Sequence, residues 1–94
     1  MNEFKRHNFK KLKIWQMAME LSKLTLDLTD TFPTYEKYGL KSQIDRCSIS
    51  IPSNIAEGSS RTNKSFSHFL DVSLGSSFEL QTQILLANHR KYLS

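Results

Sequence analysis

The sequence contains a single cysteine, Cys47. No intrachain disulfide can therefore form, and without a second thiol or a His-x-x-His pair no metal-ligand spacing exists. Two prolines and three glycines are too few for an all-β domain, which needs a turn residue every few positions. The scarcity favours a few long elements joined by short loops, and helices are the natural reading. No apolar run approaches the roughly 18 residues of a membrane span, and the start of the chain is basic without the apolar block of a signal peptide. The expected setting is a reducing cytoplasm, with no membrane contact. Also missing are a Gly-rich phosphate loop, a paired-carboxylate arrangement and the G-x-S-x-G turn that strains a serine nucleophile outward. These absences leave an enzyme nothing to stand on, and neither a catalytic residue, a metal nor a cofactor is expected.

What is present fits one domain, 1–94. A chain of 94 residues buries only roughly 60–65% of the surface that its unfolded form exposes, so its private core is marginal. With 38% apolar and 23% charged residues, the composition is that of a globular protein rather than a disordered one. The net charge of +4 is unevenly spread. Lys5, Arg6, Lys10, Lys11 and Lys13 against Glu3 account for all of it, and the remainder of the chain is neutral. Attraction to a polyanion would be concentrated in that amino-terminal arm, where closely spaced cations displace counterions from phosphates.

Periodicity places three helices, over about 9–31, 40–57 and 64–92. In the first, Leu12, Trp15, Ala18, Met19, Leu21, Leu24 and Leu28 recur at helical steps, and Pro33 ends the pattern by disfavouring helical geometry at Phe32. Gly39, able to take positive φ, closes the connection that follows. In the second, Leu40, Ile44, Cys47, Ile51 and Ile55 form the stripe. Pro52 lies inside it, removing one backbone bond and crowding the Ser48 carbonyl, so a kink or a wet turn is expected. Gly58 is read as the left-handed stop of that helix and Asn63 as the cap of the third. The third helix carries Phe66, Phe69, Leu70, Leu74, Phe78, Gln81, Ile84 and Leu85. Short loops oblige consecutive helices to run antiparallel, giving an all-α up-and-down bundle. Ser73, Gly75, Ser76 and Ser77 form a patch of small residues, read either as a close helix–helix contact or as simple surface tolerance.

The tract from Phe4 to Lys13 interleaves aromatics with cations, the type of surface that tracks a sugar–phosphate backbone and stacks on bases. The competing reading is a solvated helix start. Arg46, Arg61, Lys64, Arg90 and Lys91 extend the patch only if the fold gathers them. Asn54, Glu57 and Arg61 cluster near the end of the second helix, either as a small-ligand site or, more simply, as groups that satisfy helix ends. Cys47 sits on an apolar stripe and reads as a small core residue rather than a nucleophile.

The segments FPTYEKYGL at 32–40, QIDRCSISIPSNIAEGSSR at 43–61 and FSHFLDVSLGSSFELQTQILLA at 66–87 resemble, in order and spacing, a bacterial family of four-helix-bundle proteins. That family was first noted as reading frames within intervening sequences of large-subunit ribosomal RNA genes. The resemblance implies a four-helix up-and-down bundle assembled as a ring-shaped homopentamer. It also implies similarity to the accessory variability protein of diversity-generating retroelements, which binds nucleic acid beside a reverse transcriptase. A reverse transcriptase or another protein is thus an implied partner, together with RNA or DNA. The residues that carry the implied nucleic-acid contact are Lys5, Arg6, Lys10, Lys11 and Lys13, with Arg46 and Arg61 at positions that are basic in the family. Two departures stand out: Ser65 replaces the family's acidic residue, and the sequence stops at Ser94, where the family continues into a fourth helix. The expected function is a non-enzymatic, oligomeric nucleic-acid binder acting through phosphates. The alternative is a protein–protein scaffold without nucleic-acid affinity.

Overall fold

Small and hydroxylated side chains along one side of the first helix decide how the chain packs. A computed structural model describes residues 8–93. It contains α1 (Lys13–Thr29), α2 (Leu40–Ser59) and α3 (Asn63–His89), with short 3-10 turns at Phe9–Lys11 and Thr34–Glu36. No strand occurs among the described residues. α1 and α3 both pack along α2, and their backbones do not approach each other. The result is an antiparallel three-helix rod of 56 × 19 × 19 Å, the all-α bundle that periodicity and short loops dictate. Among the described residues, no helix is long and apolar enough to cross a membrane.

α1 buries Ala18, Ser22, Thr25 and Thr29 against its neighbours. Such small groups let two backbones come close. The Ser22 hydroxyl donates to the Ser48 carbonyl at 2.8 Å, the carbonyl that Pro52, four residues later, leaves without its helical N–H partner. The wet turn expected at Pro52 is thus replaced by a hydroxyl from the adjacent helix, and α2 runs through the buried proline without a break. Leu21 and Leu24, part of the apolar pattern that marks α1 as a helix, are 40% and 69% exposed. The side turned toward α2 is the less apolar one.

α2 supplies most of the core through Ile44, Cys47, Ile51 and Ile55, which meet Leu80 and Ala87 of α3. The Cys47 thiol donates to the Ser76 carbonyl at 3.1 Å. Its burial pushes its pKa up to about 11, so it is an unreactive core group. The patch of small residues divides in two. Ser73 is buried and donates to the Ile51 carbonyl at 2.9 Å, Ser76 accepts from Ser50 at 2.8 Å, and Gly75 faces open space.

Several expected boundaries shift. Leu12 takes extended geometry between the Phe9–Lys11 turn and α1, so the first helix starts four residues late. Gly58 does not stop α2 and has no positive φ. It lies inside the helix, where a Cβ would stand 2.6 Å from Phe69 Cβ, so its role is close approach of α3. Gly39 likewise keeps a negative φ of −110°, and a Cβ there would meet the Glu36 carboxylate at 2.6 Å. Thr62, rather than Asn63, caps α3, its hydroxyl accepting from the Ser65 N–H at 3.3 Å. α3 ends at His89 instead of Tyr92, because Lys91 turns left-handed at φ 63° and the Tyr92 N–H returns to the Ala87 carbonyl at 3.1 Å, a Schellman closure.

Candidate nucleic-acid interface

The amino-terminal approach to α1 is held in shape by local bonds. The Asn8 side chain accepts from the Lys10 N–H at 3.3 Å, and the Gln16 carboxamide donates to the Lys10 carbonyl at 2.9 Å. Phe9 packs edge-on against Trp15, with centroids 5.2 Å apart. Trp15 in turn lies beside Pro52, Ser53 and Ala56 of α2. The start of α1 and the end of α2 therefore share one end of the rod, and Lys10, Lys11 and Lys13 stand there exposed.

Arg61 belongs to the same end. Its guanidinium makes two bonds to the Glu57 carboxylate, the longer at 3.2 Å, and lies 5.5 Å from the Phe69 ring centre. Lys64 opens α3 nearby and is exposed. Around this end, five cations thus meet one carboxylate among the described residues. None of Lys10, Lys11, Lys13 and Lys64 forms an ion pair with another described residue. The Asn54 carboxamide donates to the Ser50 carbonyl at 2.7 Å, and Glu57 is engaged by Arg61, so this trio satisfies itself rather than opening a small-ligand site.

The remaining candidates separate. Lys5 and Arg6 lie outside the described residues. Arg46 is exposed but sits fifteen residues before Arg61 on α2, roughly 22 Å along the axis at 1.5 Å per residue. It lines a polar cleft of about 500 Å³ with Tyr38, Ser42, Gln43, Glu79 and Gln83. Arg90 and Lys91 are at the opposite end, beyond α3.

That opposite end holds a cluster that sequence reasoning missed. The Tyr92 hydroxyl donates to Glu36 at 2.6 Å and lies 3.3 Å from the Tyr35 hydroxyl. The Glu36 carboxyl is held below its ordinary value of 4.5, first by Tyr92 and then by the Leu40 N–H, while this same bond pushes Tyr92 up to about 12. Tyr35 and Glu36 are neighbours in the chain, but Tyr92 lies 56 residues beyond Glu36, so no local signal shows that the three meet. Among the described residues no group of three His, Cys, Asp or Glu side chains is gathered as metal ligands would be.

Residues 10–94 match the family model described as 23S rRNA-intervening sequence protein. No curated protein matches the chain.

Proposed function

This chain belongs to the 23S rRNA-intervening sequence protein family, and on that premise we propose that it is a non-enzymatic, oligomeric nucleic-acid-binding protein that grips RNA or DNA through phosphates. The observation that carries this reading is the cluster of Lys10, Lys11, Lys13 and Lys64, without a carboxylate partner among the described residues, beside Arg61 at one end of the rod. Exposed lysines without carboxylate partners among the described residues can neutralise phosphates and release the counterions condensed there, which gives affinity without base reading. Phe9 and Phe69 flank the cations and widen the contact beyond charge.

Binding of short RNA and DNA across a salt series tests the proposal. Steep salt dependence is expected in the native chain. Replacing Lys10, Lys11 and Lys64 together by Gln should flatten the log–log salt slope by about 2 to 3, at roughly 0.7–0.9 for each phosphate no longer neutralised. Unchanged binding in that variant would remove this end of the rod from the binding surface. Absence of any retention at low salt would instead hand the lead to the scaffold reading, which the exposed apolar residues of α1 and α3 favour.

A further inference from the structure

Arg46 stands apart from the cations at the end of the rod, and the cleft around it is polar on both walls. α2 contributes Gln43, Arg46 and Cys47, α3 contributes Glu79 and Gln83, and Tyr38 completes the lining of a space of about 500 Å³. That size falls within the roughly 300–1,000 Å³ of small-molecule sites. Arg46 and Glu79 carry opposite charges and line the same space, yet neither forms an ion pair with another described residue.

Two further groups in the cleft are left with capacity to bind. Gln83 is only 8% exposed, and its Oε1 accepts no hydrogen bond from another described residue. Its Nε2 holds Glu79 only at 3.4 Å. A buried acceptor without a donor costs free energy, and a ligand N–H supplies the missing bond once the carboxamide turns into the cleft. Tyr38 is 87% exposed, with the Lys37 ammonium 5.4 Å from its ring centre. An open aromatic face beside a cation is an arrangement on which a base stacks.

Hydrogen-bond chemistry selects the base. The paired donors of the Arg46 guanidinium match the adjacent O6 and N7 acceptors of guanine. The acceptors of Glu79 and Gln83 match the N1–H and N2–H donors on its next edge. Uracil sets carbonyl oxygens on both sides of its one N–H, which oppose a carboxylate. Adenine and cytosine each offer a carboxylate a single amino group beside a ring-nitrogen acceptor. The base must be unpaired, since pairing occupies the same edge.

The cleft also lies within reach of the basic end. Glu57, which holds Arg61, follows Arg46 by eleven residues. At 3.6 residues per turn that is about three full turns, so the two face one side of α2, roughly 16 Å apart along its axis. With about 3.4 Å per phosphate along a strand, about five nucleotides cover the distance.

We propose that this cleft is a guanine-reading subsite, in which Glu79 and Gln83 accept from N1–H and N2–H of an unpaired guanine, Arg46 donates to O6 and N7, and Tyr38 stacks on the ring. The subsite goes beyond the phosphate contact proposed above and rests on that reading only for the strand that carries the base.

Titration with the monophosphates of guanosine, adenosine, cytidine and uridine, followed by backbone amide NMR shifts, reads the cleft without the basic end. The guanosine nucleotide should shift the amides of Tyr38, Arg46, Glu79 and Gln83 and bind about tenfold more tightly than the uridine one, the discrimination of one bidentate pair. Glu79→Gln should abolish that preference with the melting temperature retained, since Glu79 is exposed. Gln83→Leu removes the unpartnered acceptor, so it should weaken guanosine binding without loss of thermal stability. No shift in the cleft, equal affinity for the four nucleotides, or a preference undiminished in Glu79→Gln would overturn the proposal. Uridine octanucleotides with and without one central guanosine then distinguish a strand from a free nucleotide. The guanosine octamer should bind more tightly, and the Lys10/Lys11/Lys64 variant should weaken both octamers while keeping their ratio. Equal affinity for the two octamers counts against the subsite, whereas undiminished binding of both in that variant counts against the phosphate contact alone.

Discussion

The two ends of the rod use the same kinds of residue for opposite purposes. At the end formed by the start of α1 and the turn between α2 and α3, Lys10, Lys11, Lys13 and Lys64 have no acidic partner among the described residues, and only Arg61 is paired. At the other end Lys41 and Arg90 are held by the fold, while Lys37 and Lys91 stay exposed. Lys41 reaches Asp45 at 2.7 Å and Asp30 at 3.4 Å, and Thr29, fully buried, donates to Asp45 as well. Its bond to Asp45 raises Lys41 above its ordinary value. Arg90 lies 5.9 Å from the Tyr92 ring centre, and Tyr92 is fastened to Glu36. Charge that is hydrogen-bonded to the fold stabilises the fold. Charge that is left in water remains available to a polyanion, and the proposed phosphate contact is set where five cations gather rather than at this end.

The largest test of this contrast removes the packing that builds the basic end. Gly58→Val places a branched side chain where even a Cβ would stand 2.6 Å from Phe69 Cβ, so α3 must move away. A loss of about 3 kcal/mol in urea denaturation is expected, at the upper end of ordinary overpacking. A near-neutral result would mean that the basic end does not depend on this close approach. At the other end, Asp45→Ala leaves Lys41 only Asp30, at 3.4 Å, and the buried Thr29 hydroxyl only the Leu26 carbonyl, at 3.2 Å. About 2 kcal/mol should be lost, the net worth of hydrogen bonds to a charged group, and nucleic-acid retention should stay as it was. The smallest effect is confined to acid. Because the folded state holds the Glu36 carboxyl below 4.5, its bonds add stability that is fully present above that pH. The added stability drains away as pH falls through the lowered native value. In the Glu36→Gln variant, thermal melts should lose that acid-side slope, and an unaltered difference between the two proteins from pH 6 down to pH 2 would show that the carboxylate is not what fastens Tyr92.

How much of this was legible beforehand differs residue by residue. The cations at Lys10, Lys11 and Lys13 stood out because they are neighbours in the chain. That Arg61 and Lys64 join them while Arg46 does not follows from where α2 ends and α3 begins, which a charge count along the sequence does not convey. Gly58 was visible as a special position, but the reason was misread. A glycine near a helix end ordinarily signals a left-handed stop, and only the approach of Phe69 shows that the missing side chain, not the backbone freedom, is what matters here.

By itself the sequence determined three helices, their order and their antiparallel course, because periodicity, Pro33 and the short connections act within a few residues of one another. It determined as well that the excess charge lies at the amino-terminal side. The tertiary structure alone decided which face of α1 turns inward, with Ser22 placed on the carbonyl that Pro52 leaves free and the leucines left on the surface. It also decided which cations find carboxylates and which stay in water. A helical pattern specifies one cylinder at a time, whereas burial and pairing depend on the shape and spare hydrogen-bonding groups of the neighbouring helix.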